Sequence, residues 1–264
     1  MLRTPTIPST KTAIAKLAKD SSSKGQRKTR KSASSKPPSC ERASAARTSS
    51  TSPGGSGLHS SRTTAAPRRK SSQHLGYAKV ANIIAATRHA CHIGMPFNRF
   101  ITISWEKGHV TDHTTATINF LHYARGGLFA KGERTAFVWS QEWGRVVGQH
   151  VHILIHVPLH LTAWFTKLQR GWLKRCGVTR GKNVIKTTPI GHSYAAAFST
   201  GPLAEAYQRN LENVKNYILK DAEYKALCLL KQPASLRGSP VHGKRSATSE
   251  NIGVSARAKR AAAL

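Results

Sequence analysis

Apolar positions along the chain switch between two periods, and the switches divide it into elements. From Tyr77 to His92, Val80, Ile83, Ile84 and Cys91 recur at helical spacing, with Thr87 a weak point in the stripe, and Gly94 and Pro96 stop the run. Phe100 to Trp105 alternates and is rich in β-branched and aromatic residues, which predicts a strand. Thr114 to Ala124 predicts a second helix, closed by Gly126 and Gly127. Ala136 to Glu142 predicts a second strand, and a connection of hairpin length leads into a third, Gly148 to Pro158. There His150, His152, Leu154 and His156 fall on one face and Val151, Ile153, Ile155 and Val157 on the other. Leu161, Trp164, Phe165, Leu168, Trp172 and Leu173 then share one helical stripe. A short strand follows at Asn183 to Thr187, and Pro189 to Thr200 is irregular. A last long helix starts near Pro202, a favourable first-turn residue, and runs to Lys231 with Tyr207, Leu211, Val214 and Ile218 as its buried stripe.

Neither end of the chain carries such a pattern. Residues 1–75 are mostly Ser, Thr, Lys, Arg, Ala and Pro, a composition that buries too little apolar surface to offset ordering entropy, so a disordered basic tail is expected there. Residues 76–231 are then the folded domain, and residues 232–264 a second basic, flexible tail. The formal charge of +31, from 42 Lys and Arg against 11 Asp and Glu, exceeds what solubility needs and points to a polyanionic partner, nucleic acid first. A membrane partner is disfavoured, because no apolar run approaches the ~20 residues of a spanning helix and no signal-peptide core is visible. The N-terminal tail also has the composition of an organellar transit peptide, although a DNA-tethering arm would look the same. Cys40, Cys91, Cys176 and Cys228 lack metal or disulfide-scaffold spacing, so a reducing intracellular location is expected. Gly238 to Arg245 imitates a phosphate-binding loop, but no Ser or Thr follows Lys244 and no apolar strand precedes it.

Candidate chemistry gathers on the third strand. His150 and His152, about 7 Å apart along one face, can turn both imidazoles onto one divalent ion, and Glu142 on the neighbouring strand can share that face. The bland alternative is two polar residues on a wet face. His156 lies too far along to join the same ion and reads as structural. On the last helix Tyr217 and Lys220 are one turn apart; a helical tyrosine taken alone is more simply a core-edge residue. Arg99, Thr102, Ser104 and Trp105 around the first strand, and Lys174 and Arg175 on the tryptophan-rich helix, are candidate DNA contacts. Trp139 and Trp143 join Trp105 as candidate base-stacking platforms, although any one tryptophan is more simply a core residue.

In order, the Phe100-Ile-Thr102-Ile-Ser104 strand, Glu142, His150-Val151-His152 and Tyr217-x-x-Lys220 resemble the HUH endonucleases, in particular the single-tyrosine initiators of rolling-circle replication. The likeness covers residues 76–231, although the first motif ends in Ser104 where the family has Thr. It implies an α+β fold with a central antiparallel sheet flanked by helices, of ferredoxin- or RRM-like kind. It further implies Mg²⁺ or Mn²⁺ held by Glu142, His150 and His152. Tyr217 would be the nucleophile that leaves a 5′-phosphotyrosine and a free 3′-hydroxyl, and Lys220 would neutralise the phosphate. The implied partner is single-stranded DNA at an origin hairpin, with a host helicase and polymerase to unwind and extend. Tyr224 is a possible second nucleophile. A single-tyrosine transposase keeps the same motif order, whereas a relaxase would place its tyrosine first. A basic nucleic-acid-binding module with incidental histidines is the non-catalytic alternative.

Overall fold

The strand with alternating histidines forms the middle of a sheet. A computed structural model describes residues 71–144, 148–179, 182–233 and 240–263, so the tail expected over residues 1–75 lies outside the described residues except for its last five. The strands in chain order are β1 (Ser71–Ser72), β2 (Arg99–Ser104), β3 (Phe137–Gly144), β4 (Gly148–Ile155), β5 (Ile185–Pro189), β6 (Val241–His242) and β7 (Ser246–Thr248). Five of them make an antiparallel sheet in the order β5-β2-β4-β3-β7, and β1 pairs with β6 apart from it. Every residue of β4 is buried, because it has a strand on each side and side-chain layers on both faces.

Those layers come from the helices α1 (Tyr77–His92), α2 (His113–Phe129), α3 (Thr162–Arg175), α4 (Gly201–Ile218), α5 (Tyr224–Leu229) and α6 (Val254–Ala261). On one sheet face Ile101, Ile103, Trp139, Val151 and Ile153 pack with Phe120 of α2 and with Phe165 and Trp172 of α3. On the other, Val138 and Leu154 pack with Ile83 of α1, Leu211 and Ile218 of α4 and Leu227 of α5, with Phe100 at the edge. Each fully buried aliphatic side chain contributes about 1.5–3 kcal/mol, so the alternation along β4 locks its register: a slip by one residue would drive the histidines into the α2–α3 layer. The fold is therefore α+β with an antiparallel sheet between helical layers, as expected. None of the described helices is long and apolar enough to cross a membrane.

Three features depart from the sequence pattern. Helix α2 does not stop at Gly126 and Gly127 but continues to Phe129. A Cβ on Gly127 would lie 3.1 Å from Trp164 and 3.3 Å from Trp172, so this glycine lets α2 approach α3 closely. The long final helix is broken after Ile218 and resumes at Tyr224. Between them the chain pairs with the segment before α1: Leu75 N–H donates to Asp221 O at 3.0 Å and Glu223 N–H to Leu75 O at 2.9 Å.

The C-terminal segment is the third departure. Instead of a flexible tail, it supplies β6, β7 and α6, with β7 hydrogen-bonded to β3. Arg245 holds it in place. Its fully buried guanidinium donates to Ser72 O at 3.0 Å and Ser72 Oγ at 3.2 Å and reaches Asp221 Oδ2 at 3.4 Å. Charge counting reads such an arginine as solvated, whereas here it joins three separated stretches of chain. Arg245→Ala removes the buried guanidinium that joins Ser72 and Asp221, and the expected cost is about 3 kcal/mol in urea unfolding. An unchanged unfolding midpoint would contradict this role.

Candidate metal centre

Strand register builds the site before any side chain is considered. Glu142 lies opposite His150 across β3 and β4, while Thr102 lies opposite His152 and Ser104 opposite His150 across β2 and β4. All five side chains therefore share one sheet face. Val151, between the ligands, points into the α2–α3 layer and is fully buried, which fixes the strand beneath both imidazoles. Glu142, His150 and His152 are buried, and their ligand atoms all lie within 4.8 Å of one another. Glu142 Oε1 is the meeting point: His150 Nε2 touches it, His152 Nε2 lies at 2.9 Å and Lys220 Nζ at 2.6 Å.

Hydrogen bonds behind the rings set their chemistry. His150 Nδ1 lies 2.8 Å from Gly148 O, a pure acceptor, so Nδ1 carries the proton and in the neutral ring Nε2 presents a lone pair to Glu142. His152 Nδ1 lies 3.0 Å from Thr102 Oγ1, which orients the second ring. Burial works to raise the Glu142 carboxyl pKa, but the contacts from His150, His152 and Lys220 outweigh it and hold the group well below the usual carboxylate range. Burial, with Lys220 and His150 nearby, lowers the His152 pKa and favours the neutral ring, against the opposing pull of Glu142. For Lys220, burial acts downward but Glu142 and Tyr217 outweigh it and raise the pKa, so the ammonium persists. In the neutral ring, the lone pair of His150 Nε2 and the carboxylate oxygen it meets repel one another unless a proton or a cation lies between them. This donor set fits a divalent metal with three protein ligands and open positions for water or substrate.

The break after α4 completes the cluster. Tyr217, in the last turn of α4, sets its ring edge-on to His152 with 4.9 Å between centroids and remains 44% exposed. Phe100 stacks on His152 at 5.3 Å and meets Tyr217 edge-on at 5.9 Å, so the three rings pack against one another. Lys220, just beyond the helix end, places Nζ 3.9 Å from the Tyr217 ring centre while it pairs with Glu142. Tyr224 opens α5 beyond this turn and is exposed. An open recess of about 310 Å³ lies over the sheet, lined by the two histidines, Thr102, Ser104 and Tyr217. Lys186 and Thr188 of β5 also line it, and the sequence pattern did not single them out. Their faces could be read from alternation, but the placement of β5 beside β2 could not.

The other candidate contacts divide. Thr102 and Ser104 face the recess. Arg99 does not: it is fully buried, donates to Thr166 Oγ1 and Thr162 O at 3.0 Å each, and lies against the rings of Phe165 and Tyr194. Trp105 is likewise a core residue, with Nε1 bonded to Thr117 Oγ1 at 2.9 Å, and Trp139 is buried in the same layer. These three are corrected from DNA contacts to structural residues, since none has a surface for a base or phosphate. Trp143 is 45% exposed. Lys174 and Arg175 are exposed, but on α3, across the sheet from the cluster. His156 is structural as expected, donating from Nδ1 to Pro96 O at 2.9 Å.

No protein-family model and no curated protein matches the sequence. Among solved structures, the N-terminal nuclease domain of minute virus of mice non-structural protein 1 shows 11% identity over 51% of this chain and 70% of that one, with a TM-score of 0.27. That domain is described with a Zn²⁺ site in its active-site pocket and with DNA recognition at an origin of replication. A TM-score this low supports no inference about the present chain.

The donor set makes a direct prediction for titration with Mn²⁺. Glu142→Ala and His152→Ala each abolish high-affinity binding, Thr102→Val weakens it by about tenfold or more through loss of ring orientation, and Tyr217→Phe leaves it unchanged. Wild-type affinity in Glu142→Ala would remove the carboxylate from the centre.

Proposed function

We propose that the chain is a metal-dependent endonuclease that cuts and rejoins single-stranded DNA through Tyr217, in the manner of proteins that start rolling-circle replication. The observation that carries this reading is the convergence of a half-exposed phenol, a paired ammonium and a three-ligand cluster on one open recess. Cleavage without water needs an oxygen nucleophile whose product keeps the energy of the phosphodiester, and tyrosine provides it. The Tyr217 oxygen attacks phosphorus, its proton passes to solvent, and the bond from phosphorus to the 3′ oxygen breaks. That oxygen leaves as a hydroxyl and the 5′ phosphate stays on Tyr217. Attack by a 3′-hydroxyl reverses the step.

Tyrosine ordinarily ionises near pH 10, so charge developing at the phosphate has to be stabilised nearby. Glu142, His150 and His152 would hold Mg²⁺ or Mn²⁺, which supplies Lewis-acid polarisation of a phosphoryl oxygen. Lys220, kept protonated beside Glu142 and Tyr217, adds fixed positive charge over the reacting group. Thr102 holds His152, and Phe100 packs against both that ring and the nucleophile. The net charge of +31 supports capture of a polyanion, with the steep salt dependence of phosphate contacts. The substrate of this reading is an origin hairpin exposed as single strand, and a helicase and a polymerase are the partners that would open the duplex and extend the 3′ end. A transposase would use the same steps.

The test is a denaturing gel after incubation with Mn²⁺ and a labelled pool of single-stranded oligonucleotides. Wild type and Tyr224→Phe should form a protein-linked label that chelation prevents, and Tyr217→Phe should form none. Equal adduct from Tyr217→Phe, or none from wild type across the pool, would overturn the proposal.

A further inference from the structure

The recess over the metal centre extends past the catalytic residues to the edge of the sheet. In the register of β2 with β5, Lys186 lies opposite Thr102 and Thr188 opposite Phe100. Thr102 in turn lies opposite His152 on β4, so Lys186 is on the ligand face, two strand spacings or about 10 Å across the sheet from the histidine. Between them Thr187 points to the other face, where its hydroxyl bonds Gln169 Oε1 at 3.0 Å. Among the described residues, β5 is an edge strand of the sheet.

The two side chains that face the recess are poorly used within the protein. Lys186 is exposed, with no ion pair or side-chain hydrogen bond among the described residues. The Thr188 hydroxyl makes only a long bond of 3.5 Å to Phe100 O. Lys220, the other lysine at the site, is already held by Glu142. A free ammonium and a hydroxyl on a rigid strand, beside a recess of about 310 Å³, fit an anionic group with the bulk of a nucleotide rather than a duplex. Strand placement gives them a precision that a loop would lack.

We infer that the β5 face is the track for the single-stranded segment on one side of the cleaved bond, with Lys186 bound to the phosphate next to the scissile one and Thr188 to a neighbouring backbone oxygen. This assignment rests on the nuclease reading for the position of the scissile phosphate. Contacts of this kind position the strand without reading bases, so the track acts on any sequence. It delivers the reacting phosphate to Tyr217 from the open edge of the sheet.

The experiment uses the full chain carrying Tyr217→Phe, so that binding is measured without cleavage. Fluorescence anisotropy follows a labelled oligothymidylate over a range of salt, and a parallel titration uses Mn²⁺ alone. Lys186→Glu should weaken DNA binding by about tenfold or more, the worth of one charge-assisted contact. Lys186→Ala should reduce the slope of log affinity against log salt by about 0.7, one phosphate on a single strand. Lys186→Arg should retain binding, Thr188→Val should lose less than Lys186→Ala, and Mn²⁺ affinity should not change in any variant. Lys174→Glu, across the sheet, is the control for bulk charge. Binding in Lys186→Glu equal to that of the parent, a loss no larger than in Lys174→Glu, or a parallel loss of Mn²⁺ binding would each overturn the track. If Lys186 dependence holds while Tyr217-bearing protein forms no adduct, the nuclease reading fails and the strand-binding face stands.

Discussion

A single carboxylate oxygen, Glu142 Oε1, is the point on which the site depends. His150, His152 and Lys220 all converge on it, from β4 and from the turn after α4. A hairpin brings Glu142 to the histidines, whereas Lys220 comes from a distant part of the chain. The pairing of β3 with β4 sets Glu142 opposite His150, and burial of Val151, Ile153 and Ile155 in the opposite layer prevents that pairing from slipping. The hydrophobic core thus determines the geometry of a polar cluster on the other face of the same strand.

Isolated in a buried place, such a cluster would be costly, since a carboxylate loses hydration and the neutral His150 ring offers it a lone pair. Lys220 provides part of the compensation, and a divalent cation would provide the rest. The Leu75 and Asp221 backbone contacts hold the turn that follows Lys220, whose ammonium reaches inward to Glu142. Asp221 is in turn held by Arg245 from the C-terminal segment. Arg245 thus ties the β7 segment to the turn bearing Lys220, a link with no sequence signal.

Much of this was legible from residue order. The alternation of His150, Val151 and His152, the helical stripes of α1 and α3 and the proximity of Tyr217 to Lys220 all follow from local periodicity, and the structure retains them. What was not legible depends on long-range partners. Gly126 and Gly127 carry the usual stop signal, but the tryptophans of α3 make Gly127 a packing residue. Arg99 and Trp105 look like surface contacts until their buried acceptors in α3 and α2 are seen. The C-terminal segment has the composition of a tail, and one buried, paired arginine outweighs that composition. Lys186 escaped notice because a lysine in a short strand signals nothing until its neighbouring strand is known.

The central claim is that two imidazoles from one strand and a carboxylate from the next bind a single ion. Pulsed electron paramagnetic resonance of the Mn²⁺-loaded protein measures it most directly, through coupling of the metal to histidine nitrogen. Coupling to two nitrogens in wild type, reduced to one in His150→Ala, is the predicted result. A spectrum with no nitrogen coupling, or one unchanged by His150→Ala, would contradict the account.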